Sequence, residues 1–195
     1  MNKKCKIGFI GCGKMASAII KGVISSGFLP VCNIKGSEVN NEIAELAKQR
    51  LGIDVITDNK ELAVCSDIIF IATKPNYAAS VLEEIKGELN ENKLIVSICA
   101  GVSTSKIEKV IGKQRVVRVM PNTPAMILEG MSGVCRGTYA TEDDAQFVVE
   151  LLSNIGKAIE VKEEQIDIVT AISGSGPAFF YKVIEDIARA GEKLG

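Results

Sequence analysis

The residues whose types and spacing suggest chemistry lie close to the amino terminus. Gly11, Gly13 and Ala16 stand in the pattern Gly-x-Gly-x-x-Ala, directly after the short apolar run Lys6-Ile7-Gly8-Phe9-Ile10. A strand, a tight glycine turn and a helix start in this order form the fingerprint of a dinucleotide-binding loop. Gly11 allows the sharp turn, Gly13 lets the backbone approach a pyrophosphate without a Cβ in the way, and Ala16 keeps the helix close to the strand. The start of the helix offers unpaired N–H groups and a partial positive charge to phosphate oxygens. The bland alternative is a glycine turn in an α/β domain that binds no nucleotide, and the rest of the chain weighs against it.

Ligands of an open α/β sheet bind beyond the carboxyl ends of its strands. The loops expected there are Gly11 to Met15, Gly36-Ser37, Thr57 to Asn59, Ala72 to Asn76, Ala100-Gly101-Val102 and Pro121 to Pro124. Small and proline-fixed loops let a flat ring lie against backbone, and Lys74 and Asn122 add polar anchors. At the end of the second strand an NAD site carries Asp or Glu for the ribose 2′-hydroxyl. Here the segment is Asn33-Ile34-Lys35-Gly36-Ser37, and the first carboxylate, Glu38, falls beyond the turn. The cation of Lys35 and the hydroxyl of Ser37 suit a 2′-phosphate. NADP(H) is therefore the expected cofactor, with NAD(H) second to it.

The elements that must position these residues follow from periodicity. Apolar spacing predicts a helix over Met15 to Ser26 capped by Gly27, a strand over Val31 to Lys35, and a helix over Asn40 to Leu51 closed by Gly52. A short strand at Asp54 to Ile56 and a helix at Lys60 to Cys65 follow. Ile68-Ile69-Phe70-Ile71-Ala72 and Leu94 to Cys99 lack alternation, as parallel strands buried on both faces do. Helices over Tyr77 to Ile85 and Ser105 to Ile111, and a strand over Arg115 to Met120 stopped by Pro121, continue the order. Outer strands at Gly133 to Arg136 and Ala158 to Val161 bracket a helix from Glu142 to Asn154. Beyond about residue 163 only helical signals remain, broken at Ser173-Gly174-Ser175-Gly176 and resumed at Pro177. The expected fold is α/β: a doubly wound, mostly parallel Rossmann-type sheet over residues 1–162, followed by the start of an all-helical domain over 163–195.

Composition narrows the function classes. Of 195 residues, 47% are hydrophobic and 24% charged, with a net charge of −1; this is a chain with a real core and no basic field for nucleic acid. No apolar run is long enough for a bilayer helix, and the first strand leaves little room for a leader, so a cytoplasmic location is expected. There is no histidine, and the six cysteines form no Cys-x-x-Cys pair. No metal site is expected, and mechanisms built on a histidine base are excluded. Cys12 alone invites a redox reading, because a helix N-terminus lowers a thiol pKa.

Five blocks resemble pyrroline-5-carboxylate reductases: Gly8 to Ala16, Ala72-Thr73-Lys74-Pro75, Ser97 to Val102, Met120-Pro121-Asn122-Thr123-Pro124 and Ser173 to Ala178. Their order and spacing agree from end to end of the chain. The resemblance implies reduction of a cyclic imine, 1-pyrroline-5-carboxylate, to L-proline by hydride from NAD(P)H. It implies that Ile10, Gly11, Cys12, Gly13, Lys14, Met15, Asn59, Ala72, Thr73, Lys74, Pro75, Ile98, Cys99 and Ala100 contact the dinucleotide, with Lys35 and Ser37 near the 2′-phosphate. It places Glu163 near the substrate, with Asn122 and Ser175 as weaker candidates, and it assigns no catalytic acid or base. A protonated imine is already electrophilic, so alignment counts for more than proton transfer.

The family continues with further helices and a Gly- and Thr-rich substrate loop, whereas this chain stops at Gly195 without a Gly-Gly-Thr-Thr-like segment. A truncated chain of little or no activity of its own is therefore expected. Self-association is expected through the helix from Pro177 to Leu194, whose apolar residues form two neighbouring stripes. Two other readings remain. A 3-hydroxyacid dehydrogenase expects lysine and asparagine after the second glycine turn, where this chain has Lys182 and Glu185. A non-catalytic nucleotide-binding module is the third.

Overall fold

The computed structural model describes residues 5–195. Its centre is an eight-stranded sheet in the order β3-β2-β1-β4-β5-β6-β7-β8. The strands are β1 (Ile7–Ile10), β2 (Ile34–Ser37), β3 (Asp54–Ile56), β4 (Ile68–Ile71), β5 (Leu94–Ser97), β6 (Arg115–Met120), β7 (Gly130–Arg136) and β8 (Gly156–Glu160). The first six run parallel; β7 is antiparallel to β6, and β8 runs with β7. The mostly parallel, doubly wound sheet expected from the sequence is what forms.

Helices α1 (Lys14–Ser25), α2 (Asn41–Leu51) and α6 (Glu142–Leu152) cover one face, and α3 (Asn59–Cys65), α4 (Ala78–Ile85) and α5 (Thr104–Ile111) the other. The two faces hold separate apolar cores. Ile7, Phe9, Phe70, Val96 and Val117 meet α1, α2 and α6, with Phe9 and Phe70 stacked at 4.5 Å. Ile69, Ile71, Ile95 and Val116 meet α3, α4 and α5. All residues of β1, β4 and β5 are buried, which explains why these strands read as unbroken apolar runs.

The second strand departs from its expected bounds. Val31–Asn33 forms a 3₁₀ turn after Pro30, and extended pairing begins only at Ile34 and runs through Ser37. Lys35 is thus the second residue of β2 and sits opposite Gly8 and Asp54. After β8 the chain turns helical: a 3₁₀ turn at Glu163–Gln165, α7 (Ile166–Val169), a π-helical turn over Thr170–Gly174, and α8 (Gly176–Leu194). The expected break at the serine–glycine repeat is thus a widened turn between nearly continuous helices. No helix among the described residues is long and apolar enough to cross a membrane.

One buried cation carries part of this architecture. Lys93, just before β5, is 8% exposed, and its Nζ donates to the carbonyls of Ala63 (2.8 Å), Val64 (3.2 Å) and Ser66 (2.6 Å). It closes the C-terminal end of α3, where helical carbonyls lack intrahelical donors. Replacing Lys93 by Met keeps the stem and strands the carbonyls of Val64 and Ser66, since that of Ala63 still accepts from Ser66 N. The expected loss is about 2–3 kcal/mol of unfolding free energy, the scale of a lost charge-assisted bond with unsatisfied acceptors; urea denaturation measures it.

Candidate dinucleotide crevice

The glycine turn closes the carboxyl end of β1. Gly11 has φ +91°, and a Cβ there would lie 2.9 Å from the Ala72 carbonyl oxygen. Its N–H donates to Ser37 O at 2.9 Å, and Ala72 N donates to Ile10 O at 2.9 Å, so the ends of β2, β1 and β4 are drawn to one level. Gly13 is different: its φ is ordinary, and a Cβ would meet nothing within 4 Å. Nothing in the protein requires glycine there, and the space it leaves open is where a pyrophosphate would lie. No side chain caps the first turn of α1, so the leading N–H groups of Lys14 and Met15 are left for a ligand.

The neighbouring strand ends complete the crevice. Beyond β4, Ala72-Thr73-Lys74 leads to Pro75, which opens a 3₁₀ turn into α4. Thr73 Oγ1 is buried without a hydrogen-bond partner, an orphan that a bound molecule would satisfy. Beyond β5, Ile98 N donates to Ile71 O (3.1 Å), and Cys99 Sγ approaches the carbonyls of Ile71 (3.5 Å) and Thr73 (3.4 Å). Pro75, Asn76, Ala100, Gly101 and Lys106 line a cleft of about 360 Å³ there. The residues expected at β1, β4 and β5 therefore come together on one edge of the sheet.

The adenosine end needs correcting. Lys35 does not reach the carboxyl edge: its Nζ is 3.1 Å from Asp54 Oδ2, and it lines a hollow with Ile7, Cys32, Asn33 and Ser66 at the opposite end of the strands. The hydrogen bond to Asp54 holds its ammonium above the ordinary value. β2 starts three residues later than expected and ends two residues later, at Ser37. Ser37 is fully buried and donates to Asn59 Oδ1 at 2.7 Å, while Asn59 Nδ2 donates to Glu84 (2.9 Å). From the end of β2, Glu38 reaches over the glycine turn, and its Oε1 accepts from Cys12 N at 2.7 Å.

Cys12 contributes backbone, not sulfur chemistry. Its side chain is fully buried against Gly36. Burial, and then the charge of Glu38, push the thiol up to about 12 against the opposing pull of Arg50. The helix start does not offset this, and the redox reading of Cys12 falls. Its carbonyl accepts from Arg50 Nη2 (2.6 Å) and Ser17 Oγ (3.1 Å).

Toward the end of β6 the helical segment joins the sheet. Asn122 Oδ1 accepts from Met131 N (2.9 Å), and its Nδ2 donates to Ser173 Oγ (3.1 Å). A Cβ on Gly174 would lie 2.9 Å from Met120 Cε, so this glycine serves close approach. Ser175, exposed at the start of α8, makes no side-chain cap bond. Asn122 and the serine–glycine segment therefore meet, through Ser173 and not through Ser175.

Glu163, partly buried, is held by three neighbours. It accepts from Arg118 Nη1 (2.5 Å), Thr104 Oγ1 (3.0 Å) and Cys135 Sγ (3.1 Å). Sequence reasoning missed this network, although a lone arginine between Val117 and Val119 in a buried strand signals that a partner must come from elsewhere.

Fold and crevice together define a nucleotide-binding oxidoreductase of the Rossmann type. Residues 6–101 match the family model described as NADP oxidoreductase coenzyme F420-dependent, and residues 163–195 match that for pyrroline-5-carboxylate reductase dimerisation. The chain is 44% identical over 184 residues to the pyrroline-5-carboxylate reductase of Methanosarcina acetivorans, spanning 94% of this chain and 68% of that protein. It is 37% identical to that of Arabidopsis thaliana over 193 residues, 97% of this chain and 69% of the relative. The crystal structure of Plasmodium falciparum pyrroline carboxylate reductase with NADP bound superposes with a TM-score of 0.90 at 35% identity, covering 100% of this chain and 72% of that one. This chain belongs to the pyrroline-5-carboxylate reductase family.

The ion pair makes a prediction about acid stability. Burial raises the pKa of Glu163, but the bonds from Cys135, Arg118 and Thr104 outweigh it and set the carboxyl below its ordinary 4.5. A native value below the unfolded one stabilises above the ordinary value and is lost as pH falls through it. The stability lost in Glu163→Gln is therefore expected to be larger at about pH 7 than at about pH 3. Denaturant unfolding at both pH values checks this, and equal losses would detach Glu163 from acid stability.

Proposed function

We propose that the chain binds NADP(H) across the carboxyl ends of β1, β4 and β5 and serves the reduction of the carbon–nitrogen double bond of 1-pyrroline-5-carboxylate to L-proline, the chain by itself turning over little substrate. The observation that carries the binding site is the contrast between two glycines: Gly11 is forced by its own backbone, whereas Gly13 is kept open with no internal reason. The buried, unpartnered Thr73 hydroxyl supports the same place. A reduced nicotinamide held there supplies hydride to the imine carbon. Family membership supports NADP(H) as the cofactor and the cyclic imine as the substrate.

The residues of this chain bind and orient. Gly11 to Met15 receive the pyrophosphate, Ala72 to Pro75 and Ile98 to Ala100 wall the nicotinamide side, and Asn59 supports the adenosine side through Ser37. Asn122 holds the serine–glycine segment at the end of β6, where the Ser175 hydroxyl and the start of α8 suit the substrate carboxylate. No histidine is present, and none is needed, since an imine protonated in solution accepts hydride once aligned. The division that goes with this reading is a dinucleotide-binding domain over 1–162 and a helical domain over 163–195.

Gly13→Val tests the site cleanly. The new side chain meets no protein atom at its Cβ, so the thermal midpoint should hold, while dinucleotide affinity should fall at least about tenfold, or about 1.4 kcal/mol. Cofactor titration by fluorescence, beside an assay of NADPH oxidation with pyrroline-5-carboxylate, measures both. Unchanged affinity in the variant would remove the glycine turn from the binding site.

The match of residues 163–195 to a dimerisation family model indicates homo-oligomerisation. The surface we assign to it is α8, none of whose residues is buried; Phe179 is 69% and Phe180 72% exposed. Light scattering should show a multiple of the monomer mass, and Phe180→Asp should lower it. A monomer unchanged by the substitution would dismiss α8 as the interface.

A further inference from the structure

Glu38 is absent from every role assigned above, yet its carboxylate reaches over the glycine turn. It is the first residue beyond β2. Its own N–H donates to Ile56 O at 2.9 Å, and the preceding carbonyl, Ser37 O, accepts from Gly11 N at 2.9 Å. The backbone is thus tied on one side to the end of β3 and on the other to the turn itself. From that anchorage the carboxylate crosses to the middle of the turn, where Oε1 accepts from Cys12 N at 2.7 Å. Among the described residues no group donates to Oε2. One oxygen is fixed by the loop, and the other is left open beside it.

We infer that Glu38 reads the ribose 2′ position of the dinucleotide, accepting hydrogen bonds from a free 2′-hydroxyl and opposing a 2′-phosphate. This rests on the proposed binding of a dinucleotide at the glycine turn. In this fold the adenosine ribose lies between the end of the second strand and the glycine turn, the gap that Glu38 bridges. A ribose diol has hydrogens to donate and a carboxylate only accepts, so the two are complementary. A phosphate dianion in the same place meets a like charge and brings no donor. Lys35 does not offset it, because that ammonium lies at the other end of β2, paired with Asp54. Arg50 stands nearer; its Nη2 donates to Cys12 O at 2.6 Å, and at Cys12 the charge of Glu38 outweighs its own. Glu38 thus narrows whatever advantage NADPH holds, and NADH becomes a working cofactor of this chain.

Dissociation constants for NADH and NADPH, titrated by fluorescence on the wild-type chain and on Glu38→Gln and Lys35→Met, test the assignment. Glutamine keeps an oxygen for the Cys12 N–H, so the turn is retained while the charge is removed. The ratio of the two constants should move toward NADPH by at least about tenfold in Glu38→Gln, the scale of relieving a like-charge contact. It should stay fixed in Lys35→Met. A ratio unmoved by Glu38→Gln, or moved instead by Lys35→Met, overturns the role of Glu38 while leaving dinucleotide binding intact. A wild-type chain that binds neither cofactor overturns the binding reading and this inference with it.

Discussion

A single left-handed residue sets the level of the whole crevice. With φ at +91°, Gly11 turns the chain out of β1 and points its N–H at Ser37, while the Ala72 carbonyl closes the space where a Cβ would stand. An L side chain would be strained by the dihedral and would clash with a backbone that cannot move. That backbone is itself held, since Ala72 N bonds to Ile10 O. The ends of β2, β1 and β4 therefore finish side by side because one residue lacks a side chain. The Cys12 N–H, Gly13, the Glu38 carboxylate and the Thr73 hydroxyl are all placed by that alignment.

A second constraint joins the helical segment to the same edge. Arg118 is 4% exposed in the middle of β6, and a buried guanidinium without an anion is costly. Its anion comes from Glu163, the first residue of the turn after β8. Ile166, fully buried, anchors the next turn, and Gly174 then passes within contact of Met120. The direction in which the chain leaves the sheet is thus fixed by one ion pair and two close contacts. They deliver the serine–glycine segment to Asn122, at the mouth of the crevice.

What the sequence revealed follows from how local each signal is. The fully buried strands β1, β4 and β5, the glycine turn and the order of elements were legible, because burial on both faces and a left-handed turn each leave their mark within a few residues. The start of β2 was not. Val31 is apolar and invited a strand, but Pro30 favours a turn that only tertiary pairing resolves, and the three-residue shift moved Lys35 from the crevice to its far side. The same shift put Glu38 at the strand end, where its carboxylate could turn back on the loop. The partners of Arg118 and Lys93 lie 45 and up to 30 residues away in sequence. Such pairings are set by topology, and no local periodicity encodes them.

The last helix shows how site and assembly are mechanically linked. Both cores of the sheet domain close without any residue of α8. The apolar residues of α8 from Ala178 onward are all exposed, and each large one left in water forgoes about 1.5–3 kcal/mol of burial. Such a surface asks to be covered from outside. The helix also begins at Gly176, directly after Ser175, and reaches the sheet through the widened turn that holds Ser173 against Asn122. A helix is stiff over its 19 residues compared with the single turn that connects it. Whatever covers its exposed length thus also fixes the angle at which Ser175 and the first N–H groups of α8 are presented to the crevice.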